Sequence, residues 1–140
     1  VQLSYNERMK KGFSTNIERD SLLNTDFRRV LYTAEHMQLV LMSLKSGEDI
    51  GEEIHTLDQF IRVEKGEGNA YLNGHIYPLL DGSIVLVPAG TKHNIVNTGE
   101  EDLKLYTLYA PPEHKDKTIH RTKEDALAHE EHFDGETTES

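Results

Sequence analysis

The stretch GEDIGEEIHTLDQFIRVEKG, Gly47 to Gly66, decides the reading of this chain, because it sets Glu53, His55 and Gln59 to point at one spot. Glu53 and His55 are two residues apart, so on a strand they share a face. Thr56, Leu57 and Asp58 turn the chain, and Gln59 opens Phe60-Ile61-Arg62-Val63, a run with strand chemistry. Three potential metal ligands therefore converge. A second stretch, GSIVLVPAGTKHNIVN from Gly82 to Asn97, carries a β-branched run into a Pro-x-Gly turn and then into a strand opened by a histidine. His93 is the natural fourth ligand.

The two stretches resemble the paired motifs of the cupin superfamily, G-x5-H-x-H-x3-E-x6-G and G-x5-P-x-G-x2-H-x3-N. Gly47, Glu53, His55, Gln59 and Gly66 fall on the first motif, with Glu53 where the family usually has His and Gln59 where it usually has Glu. Gly82, Pro88, Gly90, His93 and Asn97 all match the second. The resemblance implies an all-β, double-stranded β-helix (jelly-roll) barrel. It also implies one divalent transition metal, Fe, Mn, Ni, Co or Zn, held inside by Glu53, His55, Gln59 and His93. Two imidazoles, one carboxylate and one amide oxygen suit such ions, and an ion of higher coordination number keeps positions open for a substrate or dioxygen.

A chain of 140 residues is read as one domain with a real core. With no cysteine, disulfides, thiolate metal sites and cysteine nucleophiles are excluded, and an intracellular setting is the easier reading. The formal net charge of −10 argues against nucleic acid as the main partner. No apolar run reaches the ~18–20 residues of a membrane span, and Val1-Gln-Leu-Ser-Tyr lacks signal-peptide character. A cytoplasmic protein acting on a small molecule is the expectation.

Along the chain, residues 1–26 read as an arm with a short strand near Ser14 to Glu18, residues 27–112 as the barrel, and residues 113–140 as a loop, short helix and disordered acidic tail. Within the barrel, Arg28 to Thr33 and the doubly apolar Met37 to Leu44 are strands, and Asn73-Gly74 is the strongest hairpin signal. The tail helix starts at Thr122 as N-cap and runs to about His132, with disorder expected from Gly135.

Tyr106 and Tyr109, on the strand after His93, are the candidate catalytic hydroxyls. His114 and His120 flank a loop that can approach the pocket mouth. His129 and His132 lack the spacing of a metalloprotease helix, and Gly66-Glu67-Gly68 is a turn rather than a dinucleotide fingerprint. Arg62 and Phe60 face away from the ligands. A large aromatic on that outward face, beside a strand apolar on both sides, leads to the expectation of a homodimer covered in part by the arm.

Three activities follow. The ligand inventory is similar to that of the metal-dependent phosphomannose isomerases, which are also cupins, so isomerase chemistry on a sugar or related carbonyl compound comes first. An Fe(II)-dependent dioxygenase built on two histidines and a carboxylate, and a non-catalytic metabolite-binding or sensor module, are the alternatives.

Overall fold

The computed structural model describes residues 9–140, so the start of the predicted arm lies outside the described residues. Ten strands follow one another: β1 (Arg28–Thr33), β2 (Gln38–Leu44), β3 (Glu53–Ile54), β4 (Asp58–Lys65), β5 (Gly68–Leu72), β6 (His75–Leu79), β7 (Ile84–Val87), β8 (Lys92–Asn97), β9 (Leu103–Ala110) and β10 (Ile119–His120). Among the described residues two short helices flank them, α1 (Ile17–Leu23) and α2 (Lys123–Ala128). The strands form a six-stranded sheet, β10-β1-β2-β9-β4-β7, facing a four-stranded sheet, β3-β8-β5-β6, and every pairing is antiparallel. This is the expected jelly roll.

The inward residues follow the period of two. On β4, Gln59, Ile61 and Val63 are buried, and on β9 Leu103, Leu105, Thr107 and Tyr109 are buried. The β5–β6 hairpin turns at Asn73-Gly74, both with positive φ (47° and 85°), the pairing that a two-residue turn of this hand requires. Gly68 is needed for another reason: a Cβ there would sit 2.5 Å from the Val96 carbonyl oxygen on β8. Asn97, the last residue of the second motif, is a structural clamp. Its Nδ2 donates to the carbonyls of Leu44 (2.9 Å) and Glu101 (2.8 Å), and its Oδ1 accepts from Gly99 N (2.9 Å).

Both ends of the chain depart from expectation. The strand expected near Ser14 to Glu18 is replaced by α1, because Asn16 caps it by accepting from Arg19 N and Glu18 and Asp20 place negative charge in its first turn. α1 packs against β2, β4 and β9 on the outer face of the six-stranded sheet, so the arm covers part of the second face of β2. The C-terminal helix has the expected Thr122 cap but stops at Ala128, so His129 and His132 lie beyond it. The residues from Gly135 are placed against the arm and β1 rather than left free. Thr138 exchanges hydrogen bonds with Thr33 (2.9 and 2.7 Å), and Glu139 accepts from the backbone of Lys11 and Gly12.

Candidate metal centre

The predicted ligands come from both sheets and meet at one end of the barrel. Glu53 on β3 and His93 on β8 are paired in register. His55, just past β3, brings its Nε2 to 2.7 Å from Glu53 Oε2, and its ring meets that of His93 edge-on with centroids 4.9 Å apart. Gln59 enters from β4 in the opposite sheet, 5% exposed.

The loops between these strands are tied to one another. Gly90 N donates to the His55 carbonyl (2.7 Å) and Ala89 N to Asp58 Oδ1 (2.9 Å), so the Pro-x-Gly turn before His93 is fastened to the turn after His55. The proline and glycine of the second motif thereby aim His93, anchoring its approach to the other histidine. His93 Nδ1 lies 2.8 Å from the Thr91 carbonyl, an acceptor only, so Nδ1 carries the proton and Nε2 keeps its lone pair. Gln59 Nε2 donates to Thr107 Oγ1 (3.0 Å), which fixes the amide and leaves Oε1 buried without a partner. His55 Nδ1 is likewise buried and unpartnered.

The charges are coupled. Burial acts to raise the Glu53 carboxyl, but the hydrogen bond and charge of His55, helped by Arg28 and His93, outweigh it and hold it below the usual carboxylate range. Burial acts to lower the His55 imidazolium, and the bond and charge of Glu53 reverse that, so His55 sits above its ordinary value. Among the described residues no three His, Cys, Asp or Glu side chains are gathered at metal-holding spacing. Glu53 is turned onto His55 Nε2, and one of the four donors is an amide. Gln59 lies against the His55 ring and helps hold it raised, and with that imidazole neutral Gln59 Oε1 and His55 Nδ1 are two unpartnered lone-pair atoms that fit a cation.

The two tyrosines separate. Tyr109 is 2% exposed inside the barrel, its ring 6.0 Å from His55 and 5.2 Å from His114. Burial pushes its hydroxyl far up against the opposing pull of Arg28, so it stays protonated. Tyr106 does not belong to the site. An odd number of residues separates the two faces of a strand, and Tyr106, paired with Leu41 and Arg62, meets Phe60 outside the barrel with the rings tilted at 41° (centroids 6.2 Å apart).

A cavity of about 230 Å³ opens beside Glu53 and is closed by the C-terminal segment, with His114, His120 and Glu113 in its wall. His114 reaches it because Gln38 grips its backbone from both sides, Nε2 to the carbonyl (2.7 Å) and Oε1 from the amide (3.0 Å). Burial, with Arg28 nearby, pushes His114 down to about 2, so it is neutral. Arg28 and Glu113 were not anticipated. The signal for Arg28 was its place two before Val30 on one strand face, obscured because Leu31 makes the opposite face equally apolar. A wider groove of about 760 Å³ among the turns at Gly66, Asp81 and Gly99 carries none of the predicted ligands.

Comparison with known proteins agrees with this architecture. A family model for the cupin domain matches residues 40–109. The chain is 48% identical over 131 residues to the uncharacterized protein YrkC of Bacillus subtilis, covering 86% of this chain and 69% of that one. It is 45% identical over 107 residues to the uncharacterized protein L612 of Acanthamoeba polyphaga mimivirus, covering 73% and 67%. The crystal structure of BH2720 from Bacillus halodurans superposes with a TM-score of 0.84 at 45% identity, covering 87% of this chain and 98% of that one. No helix of the described residues is long and apolar enough to cross a membrane. With paired motifs, sheet order and sequence relatives in agreement, the chain belongs to the cupin superfamily.

Proposed function

We propose that Glu53, His55, Gln59 and His93 hold one divalent transition metal and that the protein is a metal-dependent enzyme acting on a small carbonyl compound, with isomerase-type proton transfer as its chemistry. The observation that carries this is the approach of the four donor residues to one another, two of which, Gln59 and His55, present buried polar atoms without partners, Oε1 and Nδ1. Buried acceptors of this kind are costly unless something satisfies them. A bound ion would supply Lewis-acid polarisation of a carbonyl oxygen.

The chain's own residues supply the rest. Tyr109 Oη–H, kept protonated by burial, is placed to donate a hydrogen bond to a substrate at the inner end of the site. Glu113, whose carboxylate lines the cavity and lies 3.5 Å from His132 Nδ1, is placed to accept a proton. The C-terminal segment closes the mouth and limits access of water. Metal-loaded protein is expected to exchange a carbon-bound proton of an α-hydroxy carbonyl substrate with D2O, followed by NMR, and Tyr109→Phe and Glu113→Gln should each slow that exchange about 100-fold or more. Oxygen consumption with Fe(II), without proton exchange, would instead select a dioxygenase. That reading is favoured by one feature, that only two histidines and one carboxylate are strong donors here.

For assembly we propose a homodimer through the outer face of the six-stranded sheet. Leu86, Phe60, Leu108 and Leu39 form an apolar row in register across four strands, and Leu86 is 62% exposed. Light scattering at micromolar concentration should give twice the chain mass, and Phe60→Glu should halve it with little change in chain stability; a monomer in both would refute it.

A further inference from the structure

Arg28 opens β1 and sends its side chain to the wall of the 230 Å³ cavity, where it is 8% exposed. Its Nη1 donates to His120 Nδ1 at 3.2 Å, and the guanidinium carbon lies 5.4 Å from the Phe27 ring centroid. Its Nε is buried and has no partner. The ion pairs of the described residues, at up to 4.0 Å, do not include it.

The partner it does have is neutral. His120 Nε2 lies 2.9 Å from the His129 carbonyl, which accepts its proton and leaves Nδ1 as the lone pair facing Arg28. The guanidinium touches a neutral imidazole, a ring face and the Tyr109 hydroxyl and feels the Glu53 carboxylate only at longer range, so no carboxylate meets it directly and its buried Nε–H is left without an acceptor, an arrangement that favours an anion in contact with it. The cavity is also selective about that anion. Glu52, Glu53, Glu113, Glu130 and Glu131 stand on its wall, and its other strong cation, Lys123, is committed to Asp49. Among so many carboxylates a guest that meets Arg28 can carry no more than a single negative charge, and a dianion is repelled. The volume is below the ~300–1,000 Å³ of drug-sized pockets, so the guest is small.

We propose that Arg28 is a substrate-anchoring residue that takes the carboxylate of a small monoanionic substrate, so that the carbonyl compound processed here is an oxo or hydroxy acid. Carboxylate and guanidinium match as a charge-assisted pair, and Nε is the guanidinium donor left without a partner. The orientation of the remainder of the acid, toward His55 and Tyr109, rests on the metal-centre reading; the anion contact rests on Arg28 alone.

The test is thermal unfolding of the full chain, chelator-treated and then reloaded with Mn(II), titrated with pyruvate, pyruvamide and inorganic phosphate. Pyruvate should raise the midpoint saturably, pyruvamide should not, and phosphate should be weaker than pyruvate. Arg28→Met should weaken pyruvate binding about tenfold or more, with Arg28→Lys in between. In the wild type, the Arg28 Nε–H resonance should shift with pyruvate and stay fixed with the amide, a reading that holds even where the methionine variant folds poorly. Equal binding of acid and amide, an unmoved Arg28 resonance, or phosphate as the tightest guest would overturn the proposal. Arg28-dependent pyruvate binding by a protein that takes up no metal would uphold the anchor while refuting the metal centre. Normal Mn(II) uptake with pyruvate binding indifferent to Arg28 would do the reverse.

Discussion

Along β2, β4, β8 and β9 the inward side chains change chemistry from one end of the barrel to the other. Gln38 gives way to Val40, Met42 and Leu44, Gln59 to Ile61 and Val63, His93 to Ile95, and Tyr109 and Thr107 to Leu105 and Leu103. The strands and their hydrogen bonding are continuous between the two ends, so the difference lies in side chains alone. One end is a close-packed hydrocarbon core closed by the hydrogen-bonded Asn97 clamp. The other keeps coupled charges, a neutralised histidine and orphaned lone pairs. Burial of this kind predicts that stability is concentrated at the first end and given up at the second, the pattern expected where a site is carried on a scaffold.

The sharpest way to break this contrast is to cut into each end and compare. Leu105 is fully buried among the apolar side chains. Leu105→Ala should cost about 2–5 kcal/mol in urea unfolding, through lost transfer energy and a residual cavity. A loss under about 1 kcal/mol would mean that this end is not where the fold is held.

The polar end should show its cost as acid sensitivity. His114, with its folded pKa pushed down to about 2 mainly by burial, is neutral in the folded chain, whereas in the unfolded chain it titrates near its ordinary 6.5. The unfolded state therefore binds the extra proton between those values. Stability contributed by the neutral imidazole is complete above about pH 6.5 and falls as pH drops, by roughly 1 kcal/mol per unit. His120, lowered by burial and Arg28, acts in the same sense, and His55, raised by Glu53, acts in the opposite one. The quantity to read is thus the difference between wild type and His114→Gln in unfolding midpoint against pH. The variant should lose less stability from about pH 7 to about pH 4; parallel curves would show that His114 is not held neutral.

The smallest effect belongs to Gln59→Leu in metal-free protein. It removes the orphaned Oε1 but also the donor to Thr107, so the two changes oppose each other and stability should stay within about 1 kcal/mol of wild type. A loss as large as that of Leu105→Ala would erase the distinction between the ends.

How much of this was legible in the sequence follows from the same contrast. The strands from Arg28 to Ala110 and the convergence of Glu53, His55, Gln59 and His93 could be read because period-two patterning and fixed motif spacing are local signals. The faces of Tyr106 and Tyr109 were readable in principle, since odd separation on a strand puts them on opposite sides. The helix at Ile17–Leu23 was hidden by a weakly apolar segment whose cap, Asn16, stands among other polar residues. Arg28, His114 and His120 could not be assembled from sequence. They meet only because the C-terminal segment folds back along β1, with Phe27 N bonded to the Arg121 carbonyl and Val30 N to that of Thr118, contacts between residues about ninety positions apart.

The central claim is that the polar end is a metal centre, and metal content tests it most directly. Protein purified without chelators or added metals, then analysed for elements per chain, should carry close to one equivalent of a divalent transition metal in the wild type and almost none in His93→Ala. The wild type should also lose thermal stability on chelation while the variant does not, because an ion that binds only the assembled ligands stabilises only the folded state. Equal metal content in the two proteins, or no uptake by the wild type when Fe, Mn, Ni, Co and Zn are each supplied, would contradict the account.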